Sequence, residues 1–233
     1  MKCSLKKKYV RLLTVNLALM AAVFVGNYFF LTVGGLAVKA VTGAGFVGMG
    51  LVNLFCVLVE KSRRAGFHAT LAAGLVLAFA GDVQIVFDFV AGAALFAAGH
   101  ICFFVSFWVL DRPRLLDLAV SGGICLAGAC FLLFAPILRF SQGYIRAVCL
   151  VYALILSLMV GKAIGNFARR RSPITAVILV GSILFFFSDL MLVFDWFSNA
   201  GRMAGLLCMG TYYPAECLLA FSGTLALLEA EKP

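Results

Sequence analysis

Charge is what this sequence has least of. Of its 233 residues only 12% are Asp, Glu, Lys or Arg, while 64% are hydrophobic. A soluble domain carries roughly a quarter charged residues and about half apolar ones. The polar sequence is too scarce to coat a water-facing surface around a core of this size, so a soluble globular domain is excluded and lipid must solvate the outer face. The mean hydropathy of +1.09 agrees. Histidine is also scarce: His68 and His100 are the only two. A three-histidine zinc site is therefore impossible. HExxH and HxxEH motifs, CxxC pairs, a glycine-rich phosphate loop and a GxSxG elbow are all missing. No metal and no cofactor is expected. Cysteines occur without pair spacing, and most of them (Cys102, Cys125, Cys130, Cys149, Cys208 and Cys217) sit inside apolar runs, where they read as small packing residues.

What the chain does have is long apolar runs. They fall near residues 10–32, 35–58, 66–87, 90–110, 115–137, 143–164, 173–194 and 203–228. A helix needs roughly 20 residues to cross the hydrocarbon. The runs are too long for barrel strands and do not alternate with period two. The fold class is therefore all-α, a polytopic membrane bundle of about eight transmembrane helices, read as a single transmembrane domain over residues 1–233. The first run reaches Leu31 with no small-x-small cleavage site to end it, so it is expected to remain as a helix. Glycines such as Gly43, Gly45, Gly48 and Gly50 read as sites of close helix packing.

Basic residues orient the chain. Lys2, Lys6, Lys7, Lys8 and Arg11 precede the first run, and Lys61, Arg63 and Arg64 follow the second. Arg112 and Arg114 follow the fourth, and Arg169, Arg170 and Arg171 the sixth. With eight spans all four clusters fall on one side, leaving Arg139, Arg146 and Arg202 on the other. Both termini are expected in the cytoplasm, and short loops favour a bacterial inner membrane. The net charge of +9 follows from this topology. No nucleic-acid surface is expected, since the basic residues are scattered over short loops.

Two stretches match in register: GDVQIVFDF from Gly81 and SDLMLVFDW from Ser188. Asp82 aligns with Asp189, Val86 with Val193, Phe87 with Phe194 and Asp88 with Asp195, at an offset of 107 residues. Both stretches close odd-numbered spans on the non-cytoplasmic side. A parallel repeat of two four-helix halves is the reading, an arrangement that builds a central site in other membrane proteins.

An ionisable group within a span is costly, and is a functional candidate by default. Asp82 and Asp189 fall one to two turns below the outer surface, His100 near mid-membrane, and Lys39 about a turn into the second span. Glu216 lies just past the middle of the last, preceded by Tyr212 and Tyr213. Lys39, Asp82, Asp189, His100 and Tyr212, from five helices at similar depth, are expected to converge on one cavity open to the outer side. The bland alternatives are a Lys39–Asp82 structural pair, a Lys39 that snorkels outward and a packing histidine. Asp88 and Asp195 read as boundary residues. Lys162, near the cytoplasmic end of the sixth span, is expected to snorkel.

These motifs resemble the YhhN family of multispanning membrane proteins, which includes the lysoplasmalogenases. The likeness rests on Gly81-Asp82 with Gly92, Phe96, Gly99, His100 and Phe103, then on Ser188-Asp189 and the Tyr212-Tyr213 pair. Weaker matches are Lys39 with Thr42 and Tyr152 with Met159. The resemblance runs from about Lys39 to Leu219. Ala40 departs from the family's proline and Glu216 from its glutamine.

The resemblance implies hydrolysis of the vinyl ether bond of a lysoplasmalogen, giving a fatty aldehyde and glycerophospho-ethanolamine or -choline. Such a bond breaks by protonation of the carbon distal to oxygen, attack of water on the oxocarbenium ion, and collapse of the hemiacetal. That chemistry calls for a general acid, a charge-stabilising carboxylate and a base for water. Asp82 and Asp189 are the expected acid and charged partner, in an order the sequence leaves open. His100 and Tyr213 complete the catalytic set, while Lys39, Tyr212 and Glu216 are expected to bind substrate. The partners are a lysophospholipid and the bilayer, and the oligomeric state is left open. A lipid or small-molecule transporter, a hydrolase of another lipid bond and a membrane scaffold are the competing readings.

Overall fold

The computed structural model describes residues 2–230, with side chains described from Lys8 to Glu229. The lysines Lys2, Lys6 and Lys7 counted for orientation therefore have side chains outside the described residues. Eight helices account for nearly all of the described chain: α1 (Lys2–Val33), α2 (Leu36–Val59), α3 (Ala65–Gln84), α4 (Phe89–Leu110), α5 (Leu115–Phe134), α6 (Gly143–Arg169), α7 (Pro173–Phe197) and α8 (Arg202–Ala230). No strand occurs among the described residues.

Local chemistry sets the ends. Gly34 and Gly35 adopt positive φ at the α1–α2 turn, and Gly201 at the α7–α8 turn, a conformation that only glycine enters without a side-chain penalty. Asp88 caps α4 by accepting a hydrogen bond from the Ala91 N–H at 2.7 Å. Ser172 caps α7, with Pro173 in the first turn, where its missing N–H costs nothing.

The first seven helices are each long and apolar enough to cross a membrane. The eighth carries Tyr212, Tyr213, Glu216, Ser222 and Thr224, all buried or nearly so. Its lower apolarity has a packing cause: α8 is enclosed by α1, α2, α3 and α7, so less of it must face lipid. It runs antiparallel beside α7 for the whole length of that helix. Gly205 faces Asp195 near one end, Ser188 Oγ donates to the Cys208 carbonyl and Gly181 faces Ala215 and Leu219 further along, and Arg170, just before α7, meets Glu229 at the other end.

Helix pairings recur four helices on. α1 packs on α2 as α5 packs on α6, α2 on α3 as α6 on α7, α3 on α4 as α7 on α8, and α2 on α8 as α6 on α4. The pattern breaks at α1 and α3, whose backbones also come close to α8, while among the described residues the backbones of α5 and α7 make no matching close approach to α4. A hydrogen bond of 3.1 Å from Asn16 to Asn53, which itself donates to the Ala220 carbonyl at 3.0 Å, ties α1, α2 and α8 together. α3 and α4 approach closely at Gly92, where an added Cβ would sit 2.5 Å from the Ile85 Cα. At the centre the Tyr212 ring meets Phe46, Phe96 and Phe185 edge-on, with centroids 6.0, 5.8 and 5.5 Å away.

Lys162 departs from expectation. Its side chain is wholly buried instead of snorkelling, with Nζ 3.1 Å from Asp117 Oδ2 and 2.5 Å from Asn166 Oδ1. The start of α5 and the loop before it cover this end of α6, so the ammonium meets a carboxylate before it reaches water. Arg169 completes the network, reaching both Asp111 and Asp117.

Candidate active site

Two polar clusters lie in the half of the bundle away from the arginine-rich loops. Each is built around one aspartate. Asp82 sits in the last turn of α3 and Lys39 in the first turn of α2, so the short α1–α2 turn brings the lysine to the depth of the carboxylate. Lys39 Nζ lies 2.9 Å from Asp82 Oδ1. The Tyr213 hydroxyl, from α8, is 3.2 Å from both Asp82 Oδ2 and the Lys39 carbonyl, and donates to one of them. The ammonium also lies 5.9 Å from the centroid of the Phe30 ring, within cation–π range. Both charges are almost fully shielded, and a pair so placed is tolerable only when each partner stays engaged.

Asp189 organises the second cluster from the middle of α7. The Tyr152 hydroxyl, from α6, donates to Asp189 Oδ2 at 2.9 Å. His100 Nε2, from α4, lies 2.7 Å from the Tyr152 oxygen and 3.3 Å from Asp189 Oδ2. One proton arrangement satisfies both contacts: Nε2–H donates to the tyrosine oxygen, and the tyrosine donates to the carboxylate. The result is a relay His100–Tyr152–Asp189. The ring packs edge-on against Phe185, centroids 4.6 Å apart, and its Nδ1 has no partner among the described residues.

The clusters occupy matching places in the two halves. Lys39, Asp82 and Tyr213 come from α2, α3 and α8. Tyr152, Asp189 and His100 come from α6, α7 and α4. What differs is chemistry: the first aspartate has an ammonium beside it, the second a phenol and an imidazole.

A cavity of about 350 Å³ joins them. Lys39, Asp82, Ser188, Asp189, Arg202 and Tyr212 are on its wall, which reaches Asp195 and Trp196 near the end of α7. Beside it runs a narrow apolar cleft of about 90 Å³ between α4, α5, α6 and α7, lined by residues such as Phe131, Leu156 and Phe186. Asp189, Ile85, Phe96 and Leu192 belong to both walls.

Of the residues singled out in sequence, Lys39, Asp82, Asp189 and Tyr212 therefore share one cavity. His100 and Tyr213 lie behind the wall, each in contact with an aspartate. Glu216 stands apart. It is fully buried off the cavity wall, and neither carboxylate oxygen has a partner among the described residues. Tyr152, Asp195 and Arg202 were not singled out as site residues. A tyrosine in an apolar run carries no cost that marks it, so Tyr152 is signalled only as a weak family match, and the two charges read as boundary residues. Among the described residues no three His, Cys, Asp or Glu side chains group so as to hold a metal ion.

Fold and site together define a multi-pass helical membrane protein with two buried aspartates on one polar cavity. More particularly, the chain belongs to the YhhN family, whose profile matches residues 42–223. It is similar to the lysoplasmalogenase TMEM86A of Bos taurus, 29% identical over 185 residues, covering 72% of this chain and 74% of that protein. It is also similar to the lysoplasmalogenase TMEM86B of Sus scrofa, 28% identical over 175 residues, covering 74% and 71%. No solved structure matches the chain.

Proposed function

We propose that this protein is a hydrolase of lipid ether bonds, and that its substrate is a lysoplasmalogen cleaved at the vinyl ether. The observation that carries the reading is the position of Asp189. It stands where an apolar cleft meets a polar cavity, with a proton relay behind it. A single-tailed lipid has its chain on one side of the reacting bond and its head on the other. The names of the two mammalian relatives support the same substrate class.

The neighbours of the two aspartates support a division of roles. Asp189, with no ammonium beside it, is the acid and gives its proton to the vinyl carbon distal to oxygen. Tyr152, held by His100, stabilises the carboxylate that remains, and the proton that Asp82 takes from water returns to Asp189 through the cavity they share, which closes the cycle. Asp82, held as the anion by Lys39, faces the oxocarbenium ion and accepts a proton from the attacking water. The hemiacetal then collapses, its hydroxyl proton passing to the glycerol oxygen as the C–O bond breaks, so that one water is consumed and aldehyde and alcohol leave. Arg202 and Lys39 supply positive charge for the phosphate, and Asp195 at the cavity mouth suits an ethanolamine or choline cation. Tyr212 forms the floor. Glu216, off the wall, is not assigned to substrate contact. No metal or cofactor takes part in the scheme. By the positive-inside rule the arginine-rich end and both termini face the cytoplasm of a bacterial inner membrane, and the cavity opens on the opposite side.

The test is fatty aldehyde release, followed by mass spectrometry, from a synthetic lysoplasmalogen given to purified protein in detergent. Ester and alkyl-ether lysolipids run in parallel. Aldehyde from the vinyl ether alone, lost in Asp189→Asn, is the expected result. Full activity in folded Asp82→Asn and Asp189→Asn would remove the scheme. Lipid uptake into proteoliposomes without chemical change would turn the two-halved cavity into a transport site.

A further inference from the structure

At the end of the bundle away from Asp82 and Asp189, five arginines surround a separate cavity of about 380 Å³. Arg63 and Arg64 come from the approach to α3, Arg114 from the start of α5, and Arg169 and Arg170 from the end of α6. The wall holds two carboxylates, Asp111 and Glu229, and both are engaged. Arg169 Nε lies 2.5 Å from Asp111, while Arg64 and Arg170 lie 3.4 and 2.9 Å from Glu229. Nearby Asp117 is taken by Lys162 and Arg169. Three positive charges are left over, and the guanidinium groups of Arg63 and Arg114 form no ion pair among the described residues.

Like charges gathered at the edge of a low-dielectric bundle repel one another, and an anion between them relieves that cost. The planar guanidinium fork matches phosphate oxygens two at a time. The lower wall is apolar, with Phe67, Val109, Leu110 and Ile174, and it lies where helix ends meet the polar zone of a bilayer. We propose that this cavity binds a phosphate group, as an anionic phospholipid presents it to a basic pocket between helices. A soluble phosphate is the other source of the same chemistry. The site shares no residue with the aspartate cavity, so it stands or falls independently of the activity proposed above.

The test uses the full chain in nanodiscs of phosphatidylcholine, with and without phosphatidylglycerol, read by thermal unfolding and by native mass spectrometry of retained lipid. A third arm adds inorganic phosphate to the phosphatidylcholine discs. The wild type is expected to gain Tm with phosphatidylglycerol and to retain that lipid. Arg63→Gln/Arg114→Gln is expected to bind it about 30-fold more weakly, the loss that two basic side chains near an anionic headgroup carry. Arg112→Gln/Arg171→Gln removes the same charge at the same end but off the cavity wall, and is expected to bind as the wild type does. Stabilisation by inorganic phosphate, with none added by phosphatidylglycerol, upholds the site and names a soluble ligand. Stabilisation by neither, or equal weakening in the two double variants, overturns it. Should the glutamine pair fail to fold, Arg63→Lys/Arg114→Lys keeps the charge and loses the fork. Undiminished binding there also overturns the site.

Discussion

At the scale of the residue, the two aspartates differ in their neighbours, and the difference is testable. Asp189→Asn removes the proposed acid while keeping shape. Its kcat is expected to fall about 10²–10⁴-fold, the usual contribution of general acid catalysis. Tyr152→Phe removes one hydrogen bond to the carboxylate that forms as the proton leaves. A loss of about tenfold or more is expected in kcat, with KM little changed. Equal aldehyde release from Tyr152→Phe and wild type would show that the relay plays no part. Lys39 makes a different demand. Lys39→Met leaves Asp82 buried and uncompensated, and is expected to destabilise the protein by about 3–5 kcal/mol. Lys39→Met/Asp82→Met removes both charges and is expected to recover most of the lost Tm in detergent while staying inactive. A double variant no more stable than the single one would mean the pair is not coupled as its 2.9 Å contact implies.

At the scale of the element, close helix contact holds the carboxylates at their depth. Asp82 lies on α3 ten residues before Gly92 of α4, and there an added Cβ would run into the Ile85 backbone. Backbone cannot swing aside as a side-chain tip can. Gly92→Val is expected to cost about 1–3 kcal/mol by overpacking, visible as a lower Tm and a smaller yield of monodisperse protein. A Tm equal to wild type would show that α3 and α4 can part at no cost. Element boundaries were legible in sequence because bilayer thickness sets run length. The runs near 90–110 and 35–58 match α4 and α2 to within a residue or so. α6 extends to Arg169, past the expected 164, because Lys162 and Arg169 bond to Asp117 of α5 and Asn166 to the Phe107 carbonyl of α4. Nothing local to the sixth run announces those partners.

At the scale of the whole molecule, charge divides the two ends and the proposed reaction uses only one of them. A C-terminal green fluorescent protein fusion is expected to fluoresce in a bacterial host, and a C-terminal alkaline phosphatase fusion to stay silent, if the arginine-rich end is cytoplasmic. The reverse pattern would put the cavity mouth inside the cell and change which lipid leaflet supplies the substrate. The repeated helix pairings place one aspartate in each half, facing a common cavity, and the likeness of GDVQIVFDF to SDLMLVFDW was its trace in the sequence. By itself the sequence determined the solvent, since a chain so poor in charge must bury its surface in lipid. It also determined the number and length of the runs, and marked Lys39, Asp82, His100, Asp189 and Glu216 as costly at depth. Only the tertiary structure decided which of these meet. It joined Asp82 to Lys39 and Tyr213, gave Asp189 its hydrogen bond from Tyr152, and left Glu216 off the cavity wall. The physical reason is that the cost of burying a charge is read from one residue in its run, whereas the partner that offsets it comes from another helix, placed by packing.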